Sequence, residues 1–221
     1  TYSSTAVSPE QKSALLSGRL YAKAGDLPKA FQILHRGGFF KPAAEVAMQQ
    51  GEFAKAAELF LRAEDMASAA DAFETAGDHV KAATFRGEVA LKTDHVADAA
   101  RQFLEGQDFL RAAELYESVG MLAEAAGAYE AGESYGAAGS VYVRAGLKAR
   151  AAASYERAND LETAAKLYEE AGEGRKAREL FARAGQTFKS GEAAVKAGDL
   201  ERAVSLLQRV PPADENSRAA T

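Results

Sequence analysis

Gly51-Glu-Phe-Ala-Lys-Ala-Ala-Glu-Leu-Phe-Leu-Arg-Ala63 is the stretch whose reading decides the fold. It opens on a turn residue, continues with an acid suited to a helix start, and carries one narrow apolar stripe. The pattern returns every thirteen residues. With the first alanine of the central pair as origin, the origins fall at Ala30, Ala43, Ala56, Ala69, Ala82, Ala99, Ala112, Ala125, Ala138, Ala151, Ala164, Ala177, Ser190 and Ala203. Every step is 13 residues except one of 17, between Ala82 and Ala99, and a weaker unit precedes them at Ser17. Such self-similarity marks a stacked array rather than a folded-over domain.

Within a unit, the residue three before the origin is usually large and apolar, as at Leu27, Phe40, Phe53, Met66 and Leu161. Four after it comes an aromatic, as at Phe60, Phe73, Phe103, Tyr116, Tyr142, Tyr168 and Phe181, and seven after it a small residue. Offsets of −3, 0, +1, +4 and +7 trace one face of a 3.6-residue helix, not the alternation of a strand. Asp26, Glu52, Asp65, Asp78, Asp108, Asp160 and Asp199 stand four before the origin, where a carboxylate caps free amides and meets the positive end of the helix dipole. Gly25, Gly51, Gly77, Gly146, Gly172, Gly185 and Gly198 follow the helices as stops able to adopt positive φ. Each unit is therefore one helix of about ten residues, too short to be stable alone in water. Neighbours must hold it.

The fold predicted is all-α: a solenoid of about 14–15 short antiparallel helices, elongated as a single array, with contacts mainly between neighbours. Residues three after the origin alternate. Ile33, Leu59, Phe85, Val141 and Leu167 belong to one layer, and Val46, Ala72, Gln102, Ala128 and Ser154 to the other. Thirteen-residue units thus pair into 26-residue helical hairpins. Residues 1–7 are expected to be disordered, 8–24 to form an N-terminal capping helix begun by Ser8-Pro9, 25–210 to form the array, and 211–221 to be a loose polar tail behind Pro211-Pro212. The 17-residue step predicts one longer helix, about Val80 to Leu91 and weakened at Gly87, serving as a tolerated insertion, a bend or a docking ridge.

The 221 residues include no cysteine, which excludes disulfides and thiolate metal sites and favours an intracellular, cytoplasmic setting. No apolar run approaches 18 residues, so direct membrane insertion is not expected. A net charge of −5 spread through the repeats disfavours a nucleic-acid partner. The chain begins at Thr1 rather than Met, as an excised piece of a longer protein would.

Chemistry is sparse. His35, His79 and His95 are the three histidines, and the repeated Asp-His-Val at 78–80 and 94–96 invites a metal or acid–base reading. Consecutive helices start at opposite edges, however, about 15 Å apart, so no shared site is expected. Gly136–Gly139 and Gly172–Gly174 lack the strand and the lysine-serine pair of a phosphate loop. No catalytic, cofactor-binding or metal-binding residue is assigned. Two surface features suit protein binding. Lys29, Lys55, Lys81 and Arg111, each one before an origin on the same layer, form a basic line fit for an acidic peptide or a phosphate group. Phe39, Phe40, Met121 and Leu147 form an apolar edge where acids stand in other units.

Gly51 to Ala56 with Phe60 and Ala63 has the Gly-x4-Ala-x3-aromatic-x2-Ala spacing of the second helix of a tetratricopeptide repeat. Nearly every unit from Gly25 to Leu207 shows part of it. The chain resembles the short-helix variety of these solenoids, as in SNAP-type adaptors and the helical tails of clathrin and intraflagellar-transport coat proteins. Its period of 26 replaces the standard 34, and no proline closes each unit, so no peptide-clamp residue carries over. The resemblance implies a non-catalytic scaffold or adaptor that binds a partner protein segment along a groove or edge. The alternatives are self-assembly through the terminal helices and a regulatory module of a larger multidomain protein.

Overall fold

The computed structural model describes residues 8–185 and 187–209. The terminal stretches expected to be disordered, and the Pro211-Pro212 stop, lie outside the described residues. Among those described, all regular structure is α-helical. The chain divides into two compact units, Thr1–Leu115 and Tyr116–Thr221. In the first, α1 (Pro9–Lys23), α2 (Leu27–Arg36), α3 (Phe40–Gln49), α4 (Phe53–Arg62), α5 (Met66–Thr75), α6 (His79–Lys92) and α7 (Val96–Glu105) pack each on the next. The division falls inside α8 (Phe109–Ser118). In the second, α9 (Leu122–Ala131), α10 (Tyr135–Arg144), α11 (Lys148–Arg157), α12 (Leu161–Glu170), α13 (Gly174–Arg183), α14 (Thr187–Lys196) and α15 (Leu200–Leu207) do the same. Each unit is a helical-repeat solenoid.

One turn, repeated, reverses the chain. The residue before each helix-capping position has positive φ: nine glycines between 73° and 85°, and Glu64, Asp94, Gln107, Glu133 and Asn159 between 57° and 62°. After α1, the Gly25 amide donates to the Ala22 carbonyl at 3.1 Å and the Asp26 amide to the Tyr21 carbonyl at 3.0 Å. This closes the last turn. Asp26 then caps α2, accepting from the Lys29 amide at 3.2 Å. One residue thus ends a helix and starts the next. Asp65, Asp78, Asp108, Asp160 and Asp199 accept in the same way. Glu52 does not: its side chain bonds Lys55 Nζ at 2.7 Å instead, being one methylene too long for the cap. α1 starts with a reciprocal Ser8–Gln11 capping box.

The core is a stack of large side chains seated on small ones. The residue at +4 meets the residue sixteen positions earlier on the preceding helix, which is the +1 residue except in α6, where the added turn moves that place to +5. A methyl group on Gly18 would stand 2.5 Å from Leu34 Cγ, on Gly87 3.0 Å from the Phe103 ring, on Gly139 2.8 Å from the Tyr155 ring, and on Gly191 2.6 Å from Leu207 Cδ2. The same spacing sets the buried Ala44 with Phe60, Ala57 with Phe73, Ala126 with Tyr142, Ala152 with Tyr168 and Ala165 with Phe181. At two junctions the sizes are exchanged. Phe31 and Arg178 occupy +1, and the +4 places that follow are the buried Ala47 and Ala194. Buried hydroxyls are satisfied: Ser154 Oγ donates to Glu130 Oε1 at 2.6 Å, and Ser190 Oγ to the Arg178 carbonyl at 2.9 Å.

The four-residue insertion is one added helical turn. α6 runs unbroken from His79 to Lys92, and Gly87 is not a weak point but the buried seat of Phe103. Towards α5, the helix keeps the register of Ala82 and Ala83, with Phe85 stacked on Phe73 at 5.6 Å. Towards α7, its register is four residues later. The start of α8 therefore stands about one turn, roughly 6 Å, lower along the axis than the start of α6.

Gly139→Phe should destabilise the second unit by about 1–3 kcal/mol through overpacking. Adding Tyr155→Ala should recover part of that loss, because it recreates the size exchange of Phe31 with Ala47. A double-mutant cycle by chemical denaturation reads the coupling, and strictly additive losses would refute the seating rule. Glu133→Gly should stabilise by about 1 kcal/mol by removing a left-handed non-glycine residue. An unchanged or lower denaturation midpoint would count against it.

Candidate functional site

The basic line is built into the stack. Lys29 Nζ lies 4.3 Å from the Tyr21 ring centre, Lys81 Nζ 5.2 Å from Phe73 and the Arg111 guanidinium 4.0 Å from Phe103. Each cation thus covers the aromatic eight residues earlier, on the preceding helix. For Lys55 that place holds Ala47, and its ammonium lies over Phe31 at 3.9 Å. The second unit repeats the contact with Arg150 over Tyr142, Lys176 over Tyr168 and Lys189 over Phe181. The recurrence of a cation eight residues after an aromatic is a signal that the sequence carries and that only the antiparallel stack interprets. Carboxylates accompany the line: Glu52 at 2.7 Å from Lys55, Asp78 at 2.8 Å from Lys81 and Glu88 at 2.5 Å from Arg111. The Tyr21 hydroxyl raises the Lys29 pKa, and Asp78 raises that of Lys81. Three of the four cations of the line are closed in ion pairs, and Lys29 leans on the Tyr21 ring.

The apolar-edge residues are placed differently from one another. Phe39 caps α3 without a side-chain bond, and its ring is half-buried against Gly37, where a methyl would lie 2.9 Å away. Phe40 is half-buried beneath the Arg62 guanidinium at 3.9 Å, and its edge meets His35 at 6.2 Å. His35 in turn stacks on Phe31 at 5.5 Å. In the second unit, Met121 is half-buried at the start of α9, and Leu147 is exposed at the start of α11. The histidines are dispersed: His79 Nδ1 lies 2.7 Å from Glu74 Oε1, and His95 Nδ1 3.0 Å from Thr93 Oγ1. Among the described residues, no three His, Cys, Asp or Glu residues gather as a metal site.

Sequence reasoning missed Val80 and Leu110. Both occupy the position two before the origin, where Ala54, Ala67, Ala97, Ala123 and Ala149 stand in other units. Val80 is 42% and Leu110 59% exposed. Val80 lies in the first turn of α6 and Leu110 in the first turn of α8. The Arg111–Glu88 bridge ties the two helices side by side. The departure from alanine was visible, but its exposure depends on which helix face the stack leaves open.

A notch of about 580 Å³ lies in the second unit and is lined by Glu169, Glu173, Gly174, Lys176, Lys196 and Ala197. It exists because Gly174 stands where other units carry a large apolar residue. Its Glu173–Lys176 and Glu169–Lys196 pairs are closed on each other. No described helix is long and apolar enough to cross a membrane. No known protein family matches the chain, and no curated protein matches it.

The cap carboxylates make stability depend on acid. The Lys41 ammonium and the Ser68 amide hold the Asp65 pKa below the usual value, and the Lys81 ammonium and amide do so for Asp78. His79, with Arg86 behind it, lowers that of Glu74. Groups with depressed folded-state pKa contribute stability above their unfolded values, near pH 4, and lose it as the pH falls through the folded values. Thermal midpoints should therefore decline below about pH 4. Asp65→Asn with Asp78→Asn should flatten that decline, and an acid limb as steep as that of the parent would contradict the assignment.

Proposed function

We propose that the chain is a non-catalytic protein-interaction scaffold of the tetratricopeptide-like kind, acting in the cytoplasm. The step in its first unit is the docking place for a partner segment. The observation that carries this reading is the exposure of two large apolar side chains, Val80 in the first turn of the lengthened helix α6 and Leu110 in the first turn of α8. Apolar groups exposed together at an irregularity are typical of interfaces. The flanking Lys81 and Arg111 stay paired with Asp78 and Glu88, so the surface is apolar with a charge-balanced rim. Interfaces commonly combine such a centre with a polar border. The expected ligand is a segment that sets two apolar side chains on the step and polar ones at its margins. Lys29 and Lys55 extend the same row for a longer segment.

A library of displayed 16-residue peptides, selected on the purified chain, tests this. Selected peptides should lose at least tenfold in affinity for Val80→Glu with Leu110→Glu, and less for Lys55→Glu with Lys81→Glu. Both variants should keep parental helicity by circular dichroism. Peptides that bind the first variant as tightly as the parent would sink the reading.

A further inference from the structure

The same notch opens twice in the second unit, one hairpin apart, at the edge where α11 and α13 begin. The first, about 340 Å³, is lined by Gly146, Leu147, Lys148, Ala149, Arg150 and Ala171. Each has its counterpart one 26-residue hairpin later in the notch at Gly174, from Gly172 for Gly146 to Ala197 for Ala171. The first notch stays open although α13, α14 and α15 are packed in sequence beyond it, so further helices in the array lengthen this edge without covering it. Leu147 lines the first notch and is 36% exposed; Val143, 44% exposed, is the counterpart of Glu169, which lines the second. Three lining cations are closed in ion pairs: Lys148 with Glu170 at 2.8 Å, Lys176 with Glu173 at 2.6 Å, and Lys196 with Glu169. Arg150 leans over the Tyr142 ring at 5.9 Å, and among the described residues neither it nor Arg175 is paired with a carboxylate. In a chain of net charge −5, this edge therefore carries two cations left over.

We infer that this edge docks an extended acidic segment of another protein, which sets a leucine-sized side chain against Val143 and Leu147 and, three residues away, a carboxylate on Arg175. α11 and α13 lie side by side, tied by Arg183 and Glu156 at 2.5 Å, and packed helices stand about 8–10 Å apart. A polyproline II segment rises about 3.1 Å per residue with three residues per turn, so residues i and i+3 share a face and match that interval. A carboxylate also suits the place, because α11 and α13 turn the positive ends of their dipoles to the same edge, and a guanidinium receives it with two parallel hydrogen bonds. This surface is independent of the one proposed for the first unit.

The test uses the whole chain and two fluorescent peptides, Glu-Pro-Pro-Leu-Pro-Pro-Glu and a twin with lysine in place of both glutamates. Acids on either side of the leucine serve both directions of approach. By fluorescence anisotropy, the acidic peptide should bind about tenfold tighter than its twin, and Arg175→Glu should remove that preference. Val143→Glu with Leu147→Glu should abolish binding, whereas Val80→Glu with Leu110→Glu should leave it unchanged, which separates this surface from that of the first unit. All variants should keep parental helicity by circular dichroism. No binding of the acidic peptide, equal affinity of the twins, or a preference that survives Arg175→Glu would overturn the inference. So would binding that appears only after residues 210–221 are removed, which would give the edge to the chain's own tail. A concentration-dependent dimer by light scattering that Val143→Glu with Leu147→Glu converts to monomer would give it to a second copy and overturn it likewise.

Discussion

Everything in these two units depends on a large side chain resting on a position with almost no side chain. Helices of ten residues are not stable by themselves, and each gains its stability where Phe103 sits on Gly87 or Tyr155 on Gly139. A buried aromatic of this kind is worth about 3–5 kcal/mol, enough to offset the marginal helix beneath it. The same contact sets register. A small residue one position too early or late would leave the ring against a Cβ, so the central alanine pair is a positional requirement as much as a packing one.

Charge decorates this framework without creating it. Cations lean over the rings that the stack has already placed, at about 0.5–1 kcal/mol for exposed examples. A second set of pairs reaches past the neighbouring helix to the next but one. Arg144 meets Glu117, Arg183 meets Glu156 at 2.5 Å, and Lys189 meets Glu162 at 2.9 Å, each 27 residues apart. Such exposed bridges contribute little individually. They do tie together helices of the same layer, which nearest-neighbour packing alone leaves unconnected.

The repeat, the helical class and the glycine turns were legible because they obey local rules: a period, a stripe and a stop. Positive φ at Gln107, Glu133 and Asn159 was not legible as such. Once the rings and caps on both sides are seated, the turn has no other path, and the residue there tolerates the strain. The candidate surface divided along the same line. The cations of the basic line could be placed on one layer, but their rings and acids belong to neighbouring helices and appear only in three dimensions. Phe39 looked open because its unit lacks a cap acid, yet Gly37, two residues earlier, gives its ring a place to lie. Val80 and Leu110 hid in plain view, since substitution of valine or leucine for alanine reads as core until the step is known.

The alternation of layers has a consequence for how such a chain can change length. Loss of a single thirteen-residue segment would reverse each later helix of that unit and move residues such as Leu59 from one layer to the other. Removal of two adjacent segments would leave all remaining directions intact. Growth and shrinkage are therefore quantised in hairpins, and the one length change this sequence shows within a segment, a single added turn in α6, is the kind that keeps every later helix on its own side.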